Sequence, residues 1–274
     1  VRKMSDLPKK AEIRYLMPDG ARPIYIASDG GANAALNIQA KFENITVELF
    51  NAREFGNQFS LDVQGFELHE HSSSIPDFYA IQENEFKYVE ELKELVLPAT
   101  GGKSLFVFDH TLRSDSPQIR DRYSIREAAA IAHNDYTDAS ARKRIKDLMP
   151  ATQTNTLFKS RFAIVNVWRS IAGPVITSPL TCCDAQTVSE DEIHASERRA
   201  KGRIGELELV SYSLKHRWYY YPEMTKNEVL MIKTYDSESK TRAKRSVHTA
   251  FKNSLAPENA QPRQSIESRM FVFY

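Results

Sequence analysis

Apolar residues recur along this chain at two periods, and most of its length follows the shorter one. Runs rich in β-branched and aromatic residues, bounded by Gly, Asn, Asp or Pro, predict strands. The first such runs are Glu12–Leu16, Pro23–Ala27, Ile45–Phe50 and Ser104–Asp109. From residue 162 they dominate, as Phe162–Trp168, Leu207–Ser213, Arg217–Tyr221, Val229–Tyr235, Val247–Phe251 and Ser265–Phe273. Helical spacing is confined to Phe86–Leu97 and to Asp138–Leu148, the latter a basic surface helix opening on a capping-type Asp138. Ser124–His133 begins as helix and ends as strand, with the switch point open. Strands that do not alternate regularly with helices argue against a doubly wound sheet. The pattern predicts a mainly β fold with flanking helices, an antiparallel sandwich or jelly roll.

Composition narrows this only slightly. A length of 274 residues is near the upper end of what one core supports, so one decorated domain is expected. Lys plus Arg (37) nearly balance Asp plus Glu (36), which gives no basic excess for nucleic acid. The longest apolar runs are strand-sized, so no membrane partner is expected. The opening stretch VRKMSDLPKK has charge but no apolar core, so no secretory signal is read there. Cys182 and Cys183 are adjacent, which strains any disulfide between them. Reduced thiols and a cytoplasmic location follow, with a vicinal redox switch as the alternative. No Gly-rich phosphate loop follows a strand. The oligomeric state is not set by the pattern, and a homodimer stays open.

The informative segment is His133-Asn134-Asp135. On a strand, alternate side chains share a face, so His133 and Asp135 point together while Asn134 points away. One imidazole and one carboxylate form two thirds of a facial triad of the kind that leaves open positions on Fe(II). A third ligand comes from a strand-like run, either His248 in Val247–Phe251 or His216 at the head of an aromatic strand. After His248 the chain returns through Arg263-Gln264-Ser265, with Arg263 and Ser265 on one face. A guanidinium fork suits a carboxylate, and a neighbouring hydroxyl adds a further hydrogen bond. His69 and His71 also alternate, but no carboxylate and basic anchor follow them. His110 reads as bonded to backbone or lining a pocket, and His194 as solvated in its charged stretch.

Nine collinear segments resemble a known family: 65–71 (GFELHEH), 108–113 (FDHTLR), 133–137 (HNDYT), 166–171 (NVWRSI), 178–184 (SPLTCCD), 216–224 (HRWYYYPEM), 228–237 (EVLMIKTYDS), 248–251 (HTAF) and 263–269 (RQSIESR). The chain resembles the fungal and bacterial hydroxylase/desaturase family that includes gibberellin desaturase and proteins related to a cephem methoxylase subunit. It departs from that pattern by lacking the Pro-Val that relatives often carry before the His-Asn-Asp-Tyr-Thr block. The resemblance implies a double-stranded β-helix oxygenase of natural-product metabolism, dependent on Fe(II), 2-oxoglutarate and O₂. It implies His133, Asp135 and His248 as iron ligands, with His216 the rival to His248, and Arg263 with Ser265 as the 2-oxoglutarate anchor. The implied domain is single, 1–274, with 1–103 packing strands and a helix on a jelly-roll core at 104–274.

Around these, Asn166, Trp168, Arg169, His216 and Arg269 are candidates for substrate contact or for support of the ligands, Arg269 also as a fallback anchor. The expected reaction hydroxylates, desaturates or cyclises a small natural product. The alternatives are a non-catalytic β-sandwich partner protein and a cupin-like metal enzyme that uses no 2-oxoglutarate.

Overall fold

A computed structural model describes residues 7–238, 240 and 242–274. Residues 1–6 of the charged opening stretch lie outside the described residues. The strands of the first half are Lys10–Met17 (β1), Ile24–Ile26 (β2), Asn37–Gln39 (β3), Lys41–Asn51 (β4), Phe66–Glu70 (β5), Ser104–Ser114 (β6) and His133–Asn134 (β7). Those that follow are Phe162–Ser170 (β8), Leu180–Cys183 (β9), Ile193–Ala200 (β10), Arg203–Val210 (β11), Trp218–Tyr220 (β12), Glu228–Asp236 (β13), His248–Ala250 (β14) and Gln264–Phe273 (β15). Among the described residues four α-helices join them: Glu85–Thr100 (α1), Pro117–Tyr123 (α2), Asp138–Leu148 (α3) and Ala151–Leu157 (α4).

Two sheets result. The larger runs β1-β4-β12-β9-β14-β7-β11-β10-β2-β3, and the smaller runs β5-β13-β8-β15-β6. Most pairings are antiparallel, with β12 on β4 and β10 on β2 parallel. Alternating side chains give each sheet two unlike faces. On β8, Ala163, Val165 and Val167 pack with Tyr88, Leu92 and Val96 of α1. On the other face of β8, Trp168 packs with Cys182, Tyr219 and Tyr221 of and beside the larger sheet. Every residue of β8 is therefore buried, which explains its near-continuous apolar run. The fold is a jelly roll with helices outside, as the pattern predicts.

Local signals account for most boundaries. The buried stripe of α1 is Tyr88, Leu92 and Val96, four residues apart. Each such burial stabilises by about 1.5–3 kcal/mol. Phe86 falls off that stripe and is 81% exposed, so it does not belong to the packing face. Gly101 closes α1 in the left-handed region (φ 69°), its N–H bonded to the Leu97 carbonyl. The cap of α3 is Thr137 rather than Asp138: Thr137 Oγ1 accepts from Ser140 N, and Ser140 Oγ accepts from Thr137 N.

Two segments depart from the pattern. Ser124–Ala132 forms no helix, and pairing in β7 starts only at His133. Residues 193–200, overlapping the charged stretch 189–199 in which His194 reads as solvated, form strand β10. Ser196 is its buried residue, Arg198 and Ala200 line a cavity, and Ala195 and Arg199 are exposed.

Candidate metal centre

Strand β7 is short but paired on both sides. Leu209 of β11 and His248 of β14 both lie opposite His133. Asn134, the intervening residue, donates through Nδ2 to Glu208 Oε2 (2.8 Å) and to the Tyr136 carbonyl (2.9 Å). That pegs the segment and leaves His133 and Asp135 free to face a common point. His133 Nε2 lies 3.7 Å from Asp135 Oδ1, and the His133 and His248 rings are 4.5 Å apart at their centroids. One ligand atom from each of His133, Asp135 and His248 falls within 4.8 Å of the others.

Hydrogen bonds fix which atoms are available. His133 Nδ1 donates to the Ile131 carbonyl (2.8 Å), and His248 Nδ1 donates to the Ser246 carbonyl (3.0 Å). Each bond selects the tautomer with a bare Nε2, as metal-binding imidazoles require. Asp135 Oδ2 accepts from Asn166 Nδ2 (2.7 Å) and Arg269 Nε (2.8 Å), which leaves Oδ1 for a metal. Burial pushes the His133 imidazole down to about 3, reinforced by His248 and opposed by Asp135. His133 is thus neutral and ready to ligate at neutral pH. Burial alone would raise the Asp135 carboxyl, but Arg269, His248 and His133 outweigh it and hold it far below the usual range.

Arg269 is the hub of this support. Besides Asp135 it donates through Nη1 to Asp109 (2.6 Å) and Thr111 Oγ1 (2.9 Å), and Nη2 meets Glu267. Its fork is fully committed, so it positions the carboxylate and is not a free anchor. Asn166 completes the bracket by donating also to Glu267 Oε1 (3.2 Å). The sequence reading missed Asp109, Thr111 and Glu267. Glu267 shares the strand parity of Ser265 and Arg269, a signal that was present.

Arg263 and Ser265 are brought together, Nε donating to Ser265 Oγ at 3.2 Å. Arg263 Nη1 donates to the Ser178 carbonyl (3.0 Å), and the guanidinium lies over the Trp168 ring, 5.0 Å from its centroid. Burial lowers its pKa to about 10, partly offset by Asp115, so it stays charged at neutral pH. Trp168 Nε1 is buried with no hydrogen-bond partner. A buried indole N–H beside a charged guanidinium is a donor pair awaiting an acceptor.

Two candidates lie elsewhere. Arg169 is on the opposite face of β8, donating to His71 Nδ1 (2.5 Å) and its carbonyl (2.9 Å) beneath α1. Its parity differs from that of Trp168 and Asn166, so it reaches neither the triad nor Arg263. His216 is held by Glu192 (2.9 Å) and the Tyr15 hydroxyl (3.2 Å), outside the His133, Asp135 and His248 group. Of the other histidines, His69 pairs with Glu67 (2.7 Å) and His110 with Ser268 (2.7 Å). His194, read as solvated, bonds Ser211 (3.0 Å).

Comparison with known proteins agrees with this geometry. A family model described as an oxidoreductase/YMDC permease-like domain matches residues 13–273. The hydroxylase/desaturase efuI of Hormonema carpetanum is 30% identical over 261 residues, covering 85% of each chain. The chain belongs to the hydroxylase/desaturase family. Within the same family resemblance, the Fe(II)/2-oxoglutarate-dependent dioxygenase nvfI of Aspergillus novofumigatus is 30% identical over 234 residues, 83% of this chain and 82% of that one. The solved iron and alpha-ketoglutarate-dependent endoperoxidase NvfI matches with a TM-score of 0.82 and 26% identity, over 96% of this chain and 97% of that chain. These findings bear out the hydroxylase/desaturase likeness and the jelly roll. The narrower likeness to gibberellin desaturase and cephem methoxylase-related proteins is not confirmed by them.

Proposed function

We propose that this family member is a non-haem iron oxygenase that uses 2-oxoglutarate and O₂ to oxidise a small natural product. The observation that carries the reading is the donor set itself: two imidazoles with bare Nε2 atoms and one carboxylate with a bare Oδ1, all converging on one point. Two nitrogens and one oxygen on one side suit Fe(II) and leave positions for a cosubstrate and O₂. His133, Asp135 and His248 would hold the iron. Arg263 and Ser265 would hold the far carboxylate of 2-oxoglutarate, with the Trp168 N–H as a further donor.

When bound, iron with 2-oxoglutarate and O₂ supplies the oxidising equivalents for attack on an unactivated C–H bond, with succinate and CO₂ as coproducts. The chain's own work is positional. Asn166 and Arg269 lock the carboxylate orientation, and backbone carbonyls lock both imidazoles. Whether hydroxylation, desaturation or ring closure results depends on where the substrate carbon rests.

The compartment we assign is the cytoplasm, supported by two buried, free thiols at Cys182 and Cys183. No helix among the described residues is long and apolar enough to cross a membrane. We take 1–274 as one domain, supported by β1–β4 joining the larger sheet and β5 the smaller. Anaerobic addition of Fe(II) and 2-oxoglutarate tests the function. A weak visible charge-transfer band is expected. No band, with no succinate formed across candidate substrates, would overturn the reading.

A further inference from the structure

Beside the triad lies a cavity of about 310 Å³ whose wall includes His133, Asp135 and Arg269. The rest of that wall is unusually cationic. Arg113, Arg126, Arg144, Arg198, Lys201 and Arg203 all line it, against the carboxylates Asp109 and Asp135 alone. Both carboxylates are already held by Arg269. Among the described residues none of the six pairs with a carboxylate within ion-pair distance, although the whole chain is nearly balanced at +1.

Separate elements bring these groups together. A backbone bridge sets Arg126 beside Arg113 of β6. Arg198 of β10 lies opposite Gly205, two residues from Arg203 on β11. Arg144 comes from α3; its guanidinium lies 5.2 Å from the Phe108 ring centroid, and its Nε is buried with no hydrogen bond. Glu127, a buried acid adjacent to Arg126, has neither carboxylate oxygen hydrogen-bonded and does not neutralise the group. Burial lowers the pKa of Arg126, Arg144 and Arg198, and in each case a neighbouring arginine adds to the effect. Like charges held together at partial burial are costly without a counter-ion.

Iron and its cosubstrate do not supply that counter-ion. Asp135 offsets one charge of Fe(II), and the dianion 2-oxoglutarate offsets the other together with Arg263. The six-membered cluster is left over. We infer that the cavity beside the iron centre binds the substrate through a multiply charged anionic handle, a phosphate group or paired carboxylates, gripped by Arg126, Arg144, Arg198 and Arg203. This rests on the iron and 2-oxoglutarate reading above and adds the substrate class to it. Bidentate guanidinium forks fit either anion, and the handle fixes which carbon faces the metal.

The test uses the full chain loaded anaerobically with Mn(II) and 2-oxoglutarate. Calorimetric titration employs pyrophosphate in one arm and propane-1,2,3-tricarboxylate in the other, at constant ionic strength. Saturable one-to-one binding is expected in at least one arm, and the tighter arm identifies the handle as phosphate or carboxylate. Arg198→Gln and Arg126→Gln should each weaken it tenfold or more, while the Kd for 2-oxoglutarate moves less than threefold. Relief of like-charge repulsion should leave each variant's Tm at or above the wild type's. A variant that fails to fold is replaced by Arg144→Gln or Arg203→Gln from the same cluster. No saturable binding in either arm, or unweakened binding in the folded variants, overturns the inference. Loss of 2-oxoglutarate affinity in those variants also overturns it, since the cluster would then belong to the cosubstrate. If the wild type takes up neither Mn(II) nor 2-oxoglutarate, the reading of the centre fails instead. The same titrations on the metal-free chain then still decide the anion site.

Discussion

His133 and His248 are direct cross-strand partners, and each donates its Nδ1 proton to the carbonyl two residues before it. The two candidate ligands are thus prepared in the same way by residues 115 positions apart in sequence. Backbone pairing sets their separation, and local hydrogen bonds set their tautomers.

That arrangement predicts a sharp division among the histidines. His133→Ala, His248→Ala and Asp135→Ala should each lose Mn(II) or Fe(II) binding while keeping a folded far-UV spectrum. His216→Ala should keep its metal, because His216 is tied to Glu192 and Tyr15. Its cost should be in stability alone. Metal retention by His248→Ala together with loss in His216→Ala would reverse the ligand assignment.

Arg269 gives a different signature. It is the shared partner of Asp135, Asp109 and Glu267, so Arg269→Ala strands three buried or half-buried carboxylates. Breaking a buried pair from one side costs about 3–5 kcal/mol. Losing the group that orients a ligand typically costs 10- to 100-fold in metal affinity, so a fall of roughly that size is expected. Chemical denaturation and Mn(II) titration read the two effects separately. An unchanged metal affinity would show that Asn166 alone orients Asp135.

Much of this was legible in the sequence, and the gaps have physical causes. Strand alternation correctly set His133 beside Asp135 and Arg263 beside Ser265. Alternation also says that Trp168 and Arg169 face opposite ways, but not which face is inward. That depends on α1 covering Val165 and Val167, a contact far away in sequence. Strand β10 was missed because both of its faces carry charge, Glu197 and Arg199 on one and Arg198 on the other, so no apolar alternation marked it. The cationic cavity escaped for the same reason. Its six cationic members come from four elements and two loops, and a balanced net charge hid them.

The adjacent cysteines face different surroundings. Cys182 packs with Trp168 and Tyr219, whereas Cys183 packs with Trp218 and Val247 on the other side of β9. Burial raises both thiols, Cys183 up to about 12. Neither should react with iodoacetamide at pH 8 in the native state, and both should react after denaturation. Rapid native labelling, or fewer than two thiols after unfolding, would restore the vicinal redox switch.

Glu208 predicts a pH dependence of stability in the metal-free protein. Burial raises its carboxyl to about 7, although Arg245 and Asn134 pull it down. Its unfolded value is that of an ordinary glutamate. A group whose folded pKa is raised binds more protons when folded, so stability falls as pH rises between the two values. The contribution is therefore fully present below about 4.5 and lost on passing about 7. A shift of this size corresponds to about 3 kcal/mol. Glu208→Gln should flatten the decline in unfolding free energy between pH 5 and 7.5. An equal decline in the variant would assign it to another group.

Arg263 offers the sharpest test of the cosubstrate site. Its guanidinium is buried, fixed by Ser265 and the Ser178 carbonyl, and placed over Trp168. Two of its nitrogens are occupied by these bonds, and the fork is held rigidly where a carboxylate could meet it. A hydrogen bond to a charged group is worth about 1.5–3 kcal/mol, and an unpaired carboxylate in a dry pocket costs more. Arg263→Ala should therefore weaken apparent 2-oxoglutarate affinity by roughly 10- to 1,000-fold, since about 1.4 kcal/mol is a factor of ten. Fe(II) binding should hardly change, because Arg263 touches no ligand. Arg263→Lys should recover only part of the loss, as an ammonium cannot reproduce the planar fork. Trp168→Phe, which removes the N–H together with part of the buried ring system, should cost less 2-oxoglutarate affinity than Arg263→Ala and lower stability through the cavity it leaves. Titration of 2-oxoglutarate against succinate formation separates these cases. The committed fork of Arg269 makes it a poor substitute, so a large loss of 2-oxoglutarate affinity in Arg269→Lys with none in Arg263→Ala would move the anchor there. Unchanged affinity in both variants would leave the candidate iron ligands in place and move the 2-oxoglutarate anchor to residues other than Arg263 and Arg269.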